Sequence, residues 1–473
     1  MKKASFYAEW RTRYAPGTFL REDHSAPSEK ILQAIWLHQR IVRERLATLD
    51  GRNVEVLHPG FWNRESGPDF RGAVLRIAGE LISGGDVEVD LHTSGWTSHG
   101  HHTNPAFKRV ALHVVWDGDN RSQLPTLVLK DFLDAPIAEL SLWIGREGSE
   151  SPSLAGQCSA PLKQLNDSQL NDLLSQAAFV RFQGKAKQFQ ARGREAGWEQ
   201  ALWEGLFRAL GYKHNVWPLQ RLAELRSALL SDGVRDPVHI QARLLGAGGL
   251  LPDQLNTIDR TTTSYVRKLW DHWWRERDRW FDHVLPKSLW RFNGLRPANH
   301  PQRRLALASH WLAAESVITG LENWCSKKIA DNQLLPSLHK LFQADDPFWS
   351  WHWTLRSARL KAAQPLLGPP RLTDLAVNVI LPWLWSRAAE GRNPDVSAQE
   401  EIERRFFAWP SGEDNVVLKL ARRRLLDSIA RKLSPRAAIQ QGLLQVVRDF
   451  CEQSNAVCQN CRFPELVRAW PAA

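Results

Sequence analysis

Two acids near the N-terminus stand where they could share a cation. They are Asp69, in Gly67-Pro68-Asp69-Phe70, and Glu88, in Asp86-Val87-Glu88-Val89-Asp90-Leu91-His92. In an extended strand alternate side chains share a face, so Glu88, Asp90 and His92 point one way while Val87, Val89 and Leu91 point the other. Carboxylates and an imidazole then lie in one row. If Asp69 ends the loop before the neighbouring strand, its carboxylate joins Glu88 as an oxygen pair for Mg²⁺ or Mn²⁺. A divalent ion held there activates water and stabilises a transferring phosphate, with His92 or Asp90 positioning the water. The competing reading is a solvated strand face beside a Pro-Asp turn.

Other side chains offer ligands with less support from spacing. His99, His101 and His102 crowd a polar loop, but no Cys or acid stands at ligand spacing beside them, so a surface role is expected. His113, inside the apolar run Val110 to Trp116, is expected to be a satisfied core residue. Near the C-terminus Cys451, Cys458 and Cys461 form Cys-x6-Cys-x2-Cys, a spacing that suits Zn²⁺ or an iron–sulfur cluster. Such sites want four ligands, and Cys325 or Cys158 is the candidate for the fourth. The thiols are otherwise small buried hydrophobes. Arg181, Lys185, Lys187, Arg192 and Arg194, with Phe182 and Phe189 among them, form an acid-free basic stretch that either contacts nucleic-acid phosphates or is a solvated helix face. Arg422, Arg423, Arg424, Arg431, Lys432 and Arg436 make a second one. Trp270, Trp273, Trp274 and Trp280 either stack bases or form a packing seam.

The elements that must position these residues follow from periodicity. Ser28 caps a helix expected over Glu29 to Leu46, with Ile31, Leu32, Ile35, Trp36, Val42 and Leu46 on its apolar side. Strands are expected at Val54 to Leu57, Ala73 to Ile77, Val87 to Leu91 and Val110 to Trp116. A Gly84-Gly85 turn should precede the third, and a short helix near Pro105 to Lys108 should precede the fourth. The order is helix, three strands, helix, strand. Ser, Gly and Pro cluster between Gly148 and Gly156, which marks 148–165 as a linker. Helical periodicity then runs from Asn166 to the end. The expected class is α+β, with a small mixed α/β domain over 1–147 and an all-α region over 166–473, in one or two bundles.

Composition bounds the functional classes. The 473 residues are 43% hydrophobic and 24% charged, which is ordinary for a folded protein and excludes a disordered chain. Met1-Lys2-Lys3 leads into polar sequence with no apolar run long enough for a signal peptide or a bilayer span, so a cytoplasmic location without membrane association is expected. Five cysteines without an export signal point to reduced thiols or a metal site instead of disulfides. A net charge of +11 favours polyanionic partners such as nucleic acid. With 23 tryptophans beside 4 tyrosines, most indoles must be packing residues.

Pro68-Asp69, Glu88 and the element order resemble the PD-(D/E)xK phosphodiesterase superfamily, which has the restriction-endonuclease-like fold. The resemblance implies that Asp69 and Glu88 hold the metal and that Glu29, on the first helix, matches the additional glutamate of some members. The superfamily's water-assisting lysine is not matched: Asp90 stands there, and His92 is the nearest basic group on that face. Across the chain, Glu29-x-x-Leu32-Gln33-x-Ile35-Trp36, Gly85-Asp86-Val87-Glu88, Trp96 with His99-Gly100-His101, Leu210-Gly211-Tyr212-Lys213, Arg296-Pro297-x-Asn299-x-Pro301 and the closing cysteines resemble the bacterial domain-of-unknown-function family numbered 2851. That family's pattern has Glu-x-His-x-(Lys/Arg) and Ser-Asp-Trp where this chain has Glu88-Val89-Asp90-Leu91-His92 and Ser94-Gly95-Trp96. Together the resemblances imply a metal-dependent nuclease, or a nuclease-like protein whose site is inactivated. A non-catalytic scaffold that binds nucleic acid or protein is the alternative.

Overall fold

Runs of β-branched residues become strands and longer apolar periodicities become helices, giving an α+β protein. The computed structural model describes residues 6–14, 27–63, 67–119, 124–137, 140, 158–212, 214–252, 260–292, 295–314, 316–391, 394–414, 416–426, 433–451 and 461–471. Most of the expected linker, Cys458, Arg431 and Lys432 lie outside the described residues. Among the described residues no helix is long and apolar enough to cross a membrane.

By internal contacts the chain divides into two units, Met1–Glu195 with Phe406–Ala473, and Ala196–Arg405. The helical stretch expected over 166–473 is therefore shared between them. The first unit opens with α1 (Phe6–Tyr14) and α2 (Glu29–His38). It continues with β1 (Val54–His58), β2 (Phe61–Trp62), β3 (Phe70–Ile77) and β4 (Glu80–His92), then the short α3 (Gly95–Ser98), β5 (Val110–Asp117) and β6 (Thr126–Val128). The strands form one mixed sheet ordered β1-β3-β4-β5-β6, with β2 also paired to β3. β3 pairs antiparallel with β1 and β4, whereas β5 runs parallel to β4 and β6.

Two local expectations are corrected. The first long helix stops at His38, not Leu46, because Gln39 turns left-handed at φ 48° and its N–H returns to Ile35 and Trp36 carbonyls; a 3₁₀ turn at Arg43–Arg45 follows. The Gly84-Gly85 turn is instead part of β4. The hairpin reverses at Ala78 and Gly79, both with positive φ, the geometry of a tight two-residue connection. Gly84, at φ 79°, lies where the β3–β4 register shifts, and a Cβ on Gly85 would come 2.8 Å from Ala111 Cβ, so β5 can approach closely there.

The sheet and α2 enclose a core of Leu32, Ile35, Trp36, Phe70, Val87, Val89, Leu112 and Val114. A second core of the same unit joins Tyr7 on α1 to α4 (Ser159–Gln164), α5 (Asp167–Ala196) and the C-terminal helices through Leu173, Leu443, Phe450 and Leu466. Within the second unit, indoles carry much of the packing. Trp290 donates to the Gly248 carbonyl at 2.7 Å and Trp311 to that of Phe342 at 2.9 Å.

Candidate metal centre

The pairing of β3 with β4 sets Phe70 opposite Val87, which brings Asp69 beside Glu88. Two backbone bonds hold Asp69 against β4. The Asp69 backbone N–H donates to Glu88 Oε2 at 3.1 Å, and the Val89 N–H donates to Asp69 Oδ2 at 3.2 Å. Glu29, the first residue of α2, reaches the same place, with Gln33 one turn later donating from Nε2 to Glu29 Oε1 at 3.1 Å and to Asp69 Oδ1 at 2.9 Å. Gln33 was not among the residues singled out for chemistry. Its spacing from Glu29, four residues along a helix, is the signal that marks a shared face.

Val87 and Val89 enter the core, while Glu88 and Asp90 meet the loop after β4. Asp90 Oδ1 lies 3.1 Å from His99 Nδ1, and its Oδ2 accepts from His113 Nε2 at 2.9 Å. Glu88 Oε1 lies 3.1 Å from His101 Nε2. His113 is fully buried, and parallel pairing places it opposite Glu88. The expectation of a surface loop does not hold for His101, which stacks on Phe107 with ring centroids 4.0 Å apart and meets Trp96 edge-on. An acid at ligand spacing is absent from the loop's own sequence because β4 supplies it. His99 is half-exposed, and His92 is exposed at the end of β4, in register with Asp117 and away from this cluster.

Burial, together with the charges of Glu29 and Asp90, pushes the Asp69 carboxyl up to about 7 against the hydrogen bonds from Gln33 and Val89. Burial and then the Asp69 charge push Glu88 up to about 9. Glu29 is also raised, by burial and by Asp90, and burial lowers the His101 imidazole. Desolvated acids that repel one another are relieved most directly by a cation held among them. The oxygens of Asp69 and Glu88, with Glu29 alongside, suit a hard divalent ion.

The remaining sequence-selected residues lie elsewhere. Arg181 and Lys185 on α5 both donate to Gln441 Oε1 at 2.9 Å, and Arg192 pairs with Glu44 at 3.0 Å, so these cations are engaged within the protein. Lys187 is half-buried and Arg194 exposed on the same helix. Trp273 and Trp280 are buried, whereas Trp274 is exposed with the Arg277 guanidinium 3.5 Å from its ring centroid. Cys158 belongs to the second core of the first unit, and Cys451 and Cys461 pack against that same core. Cys325 lies in the second unit, on the helix Val317–Ser326.

Residues 29–404 match the family described as Protein of unknown function (DUF2851). No curated protein and no solved structure matches the chain.

Proposed function

The chain belongs to the family Protein of unknown function (DUF2851), and from the acidic site within the matched region we propose that it is a divalent-cation-dependent phosphodiesterase acting on nucleic acid. The observation that carries this reading is the pair of backbone bonds, Asp69 N–H to Glu88 and Val89 N–H to Asp69, that holds the two carboxyl groups side by side. In this reading Asp69 and Glu88 hold Mg²⁺ or Mn²⁺, Glu29 and Gln33 orient Asp69, and the net charge of +11 draws a polyanion to the protein. A cation held by Asp69 and Glu88 would supply polarisation of a phosphoryl oxygen and a lowered pKa for bound water. Asp90, tied to His113, orders this face.

A non-catalytic scaffold that binds nucleic acid or protein is the competing reading. It is favoured by Asp90 standing where the resembled nucleases carry a lysine. The full-length protein, freed of metal and then given Mg²⁺ or Mn²⁺, should cleave single- or double-stranded DNA or RNA. Asp69→Asn should lower the rate by roughly 100-fold or more, the scale of losing one strong electrostatic contact to a transition state. Parental cleavage by Asp69→Asn would remove the assignment. Polyanion binding with no cleavage under either cation would leave the scaffold.

The thiols support a second metal group. We propose that Cys158 serves the C-terminal cysteines as a zinc or iron–sulfur ligand, since it shares a core with Cys451 and Cys461.

A further inference from the structure

Beside the Asp69–Glu88 pair lies a second set of ligands with different chemistry. One ligand atom from each of Asp90, His99 and His101 falls within 4.8 Å of the other two. We propose that these residues form a second cation site, which takes a transition-metal ion of the Zn²⁺, Mn²⁺ or Fe²⁺ class in place of Mg²⁺. The proposal rests on reading this face as a metal-dependent centre, and it assigns the centre a second ion and a ligand set of its own.

The donor types carry the selectivity. Imidazole nitrogen suits borderline transition ions, whereas Mg²⁺ demands oxygen and retains its waters. The set is also built and not incidental. Asp90 is buried, and one of its oxygens is committed to the ring N–H of His113, a partner that orients a ligating carboxylate and leaves Oδ1 turned toward His99. Gly95, at the start of α3, leaves room for Asp90, because a Cβ there would come 2.6 Å from the Asp90 carboxyl carbon and 2.7 and 2.9 Å from its oxygens. The loop that carries His99 and His101 lies close over Asp90 where position 95 has no side chain. Phe107 stacks on His101 and Trp96 packs against its edge, so the imidazole is held against rotation. Its Nε2 is buried and makes no hydrogen bond of good geometry, although Glu88 Oε1 lies 3.1 Å away. That proximity sets Glu88 between the two cation positions, where one carboxylate can serve both ions. His99 is half-exposed, which leaves coordination positions on the solvent side for water or substrate.

The test uses full-length protein freed of metal and titrated with Co²⁺, read by its visible ligand-field bands, and with Zn²⁺, read by calorimetry. Wild type should bind an ion that His99→Ala and His101→Ala each weaken by roughly 100-fold, with loss of the ligand-field bands. Thiolate-bound cobalt is told apart by its near-ultraviolet charge-transfer band, which these variants should leave intact. His99 is half-exposed, so His99→Ala remains a folded probe should His101→Ala fail to fold. Asp69→Asn should keep the His-dependent bands, so the spectrum reports this site whether or not nuclease activity exists. Parental cobalt spectra and zinc affinity in folded His99→Ala would overturn the proposal, as would a wild type that binds no ion dependent on either histidine.

Discussion

The backbone N–H of Asp69 donates to Oε2 of Glu88 at 3.1 Å, so the register that pairs Phe70 with Val87 also fixes one acid beside the other. That relation holds two acids side by side with raised pKa values, and the consequences are measurable without knowing the substrate.

Proton linkage comes first. In the unfolded chain both carboxyls ionise at ordinary acid values, whereas in the folded protein Asp69 holds its proton up to about 7 and Glu88 up to about 9. Through that window the folded state binds more protons than the unfolded one, so stability without metal should fall as pH rises. A divalent cation must displace these protons, so its affinity should rise with pH over the same interval. Calorimetry in buffers of different ionisation enthalpy should register proton release on Mn²⁺ binding, and thermal melts with Mn²⁺ should lose the downward slope. A metal affinity independent of pH would contradict the assignment of these two acids.

Gly95→Ala should damage the site without touching a ligand. The new methyl would overlap the Asp90 carboxyl group, forcing α3 or Asp90 to move at a cost of about 1–3 kcal/mol. A lowered Tm together with weakened histidine-dependent cobalt binding is the expected pair of results. Parental values for both would show that the loop accommodates the methyl.

Asp346 should contribute to the acid sensitivity of the second unit. Burial alone would raise its pKa, but His310, the Trp349 and Phe348 N–H groups and Gln241 all donate to it, at 2.8 to 3.1 Å, and hold it below the ordinary value. A depressed pKa contributes stability that is present above the unfolded value and is lost as pH falls through the folded one. Asp346→Ala should cost about 3 kcal/mol at neutral pH, since it strands buried donors. The decline of the urea midpoint expected of wild type below about pH 4 should be smaller in this variant. Retention of that decline would assign it to other acids.

Metal analysis distinguishes the cysteines. Cys158→Ser should lower bound zinc or iron in the purified protein, whereas Cys325→Ser, in the other unit, should leave the content unchanged. Equal content in all three proteins would mean that the thiols serve as packing residues.

Four of the six strands and the facing of Glu88 and Asp90 away from Val87 and Val89 were legible in the sequence, because period and β-branching act over a few residues, whereas the short β2 and β6 and the helix α1 were not expected. The proximity of Asp69 to Glu88 was legible too, given that adjacent strands pair as a hairpin. Where α2 would end was not legible, since a left-handed Gln39 has no strong local signature. Nor was the hairpin reversal at Ala78-Gly79, because the Gly84-Gly85 pair competed for it and lost to continued pairing with β3.

The sequence by itself determined an α+β chain with a row of acids on one strand and histidines in the loop that follows. Only the tertiary structure decided that the loop folds back over the strand, joining His99 to Asp90 and His101 to Glu88, and that His113 arrives from a parallel neighbour. The physical reason is that these contacts depend on strand register and on the close approach that Gly95 permits. Both are properties of packing between segments, to which no local spacing rule responds.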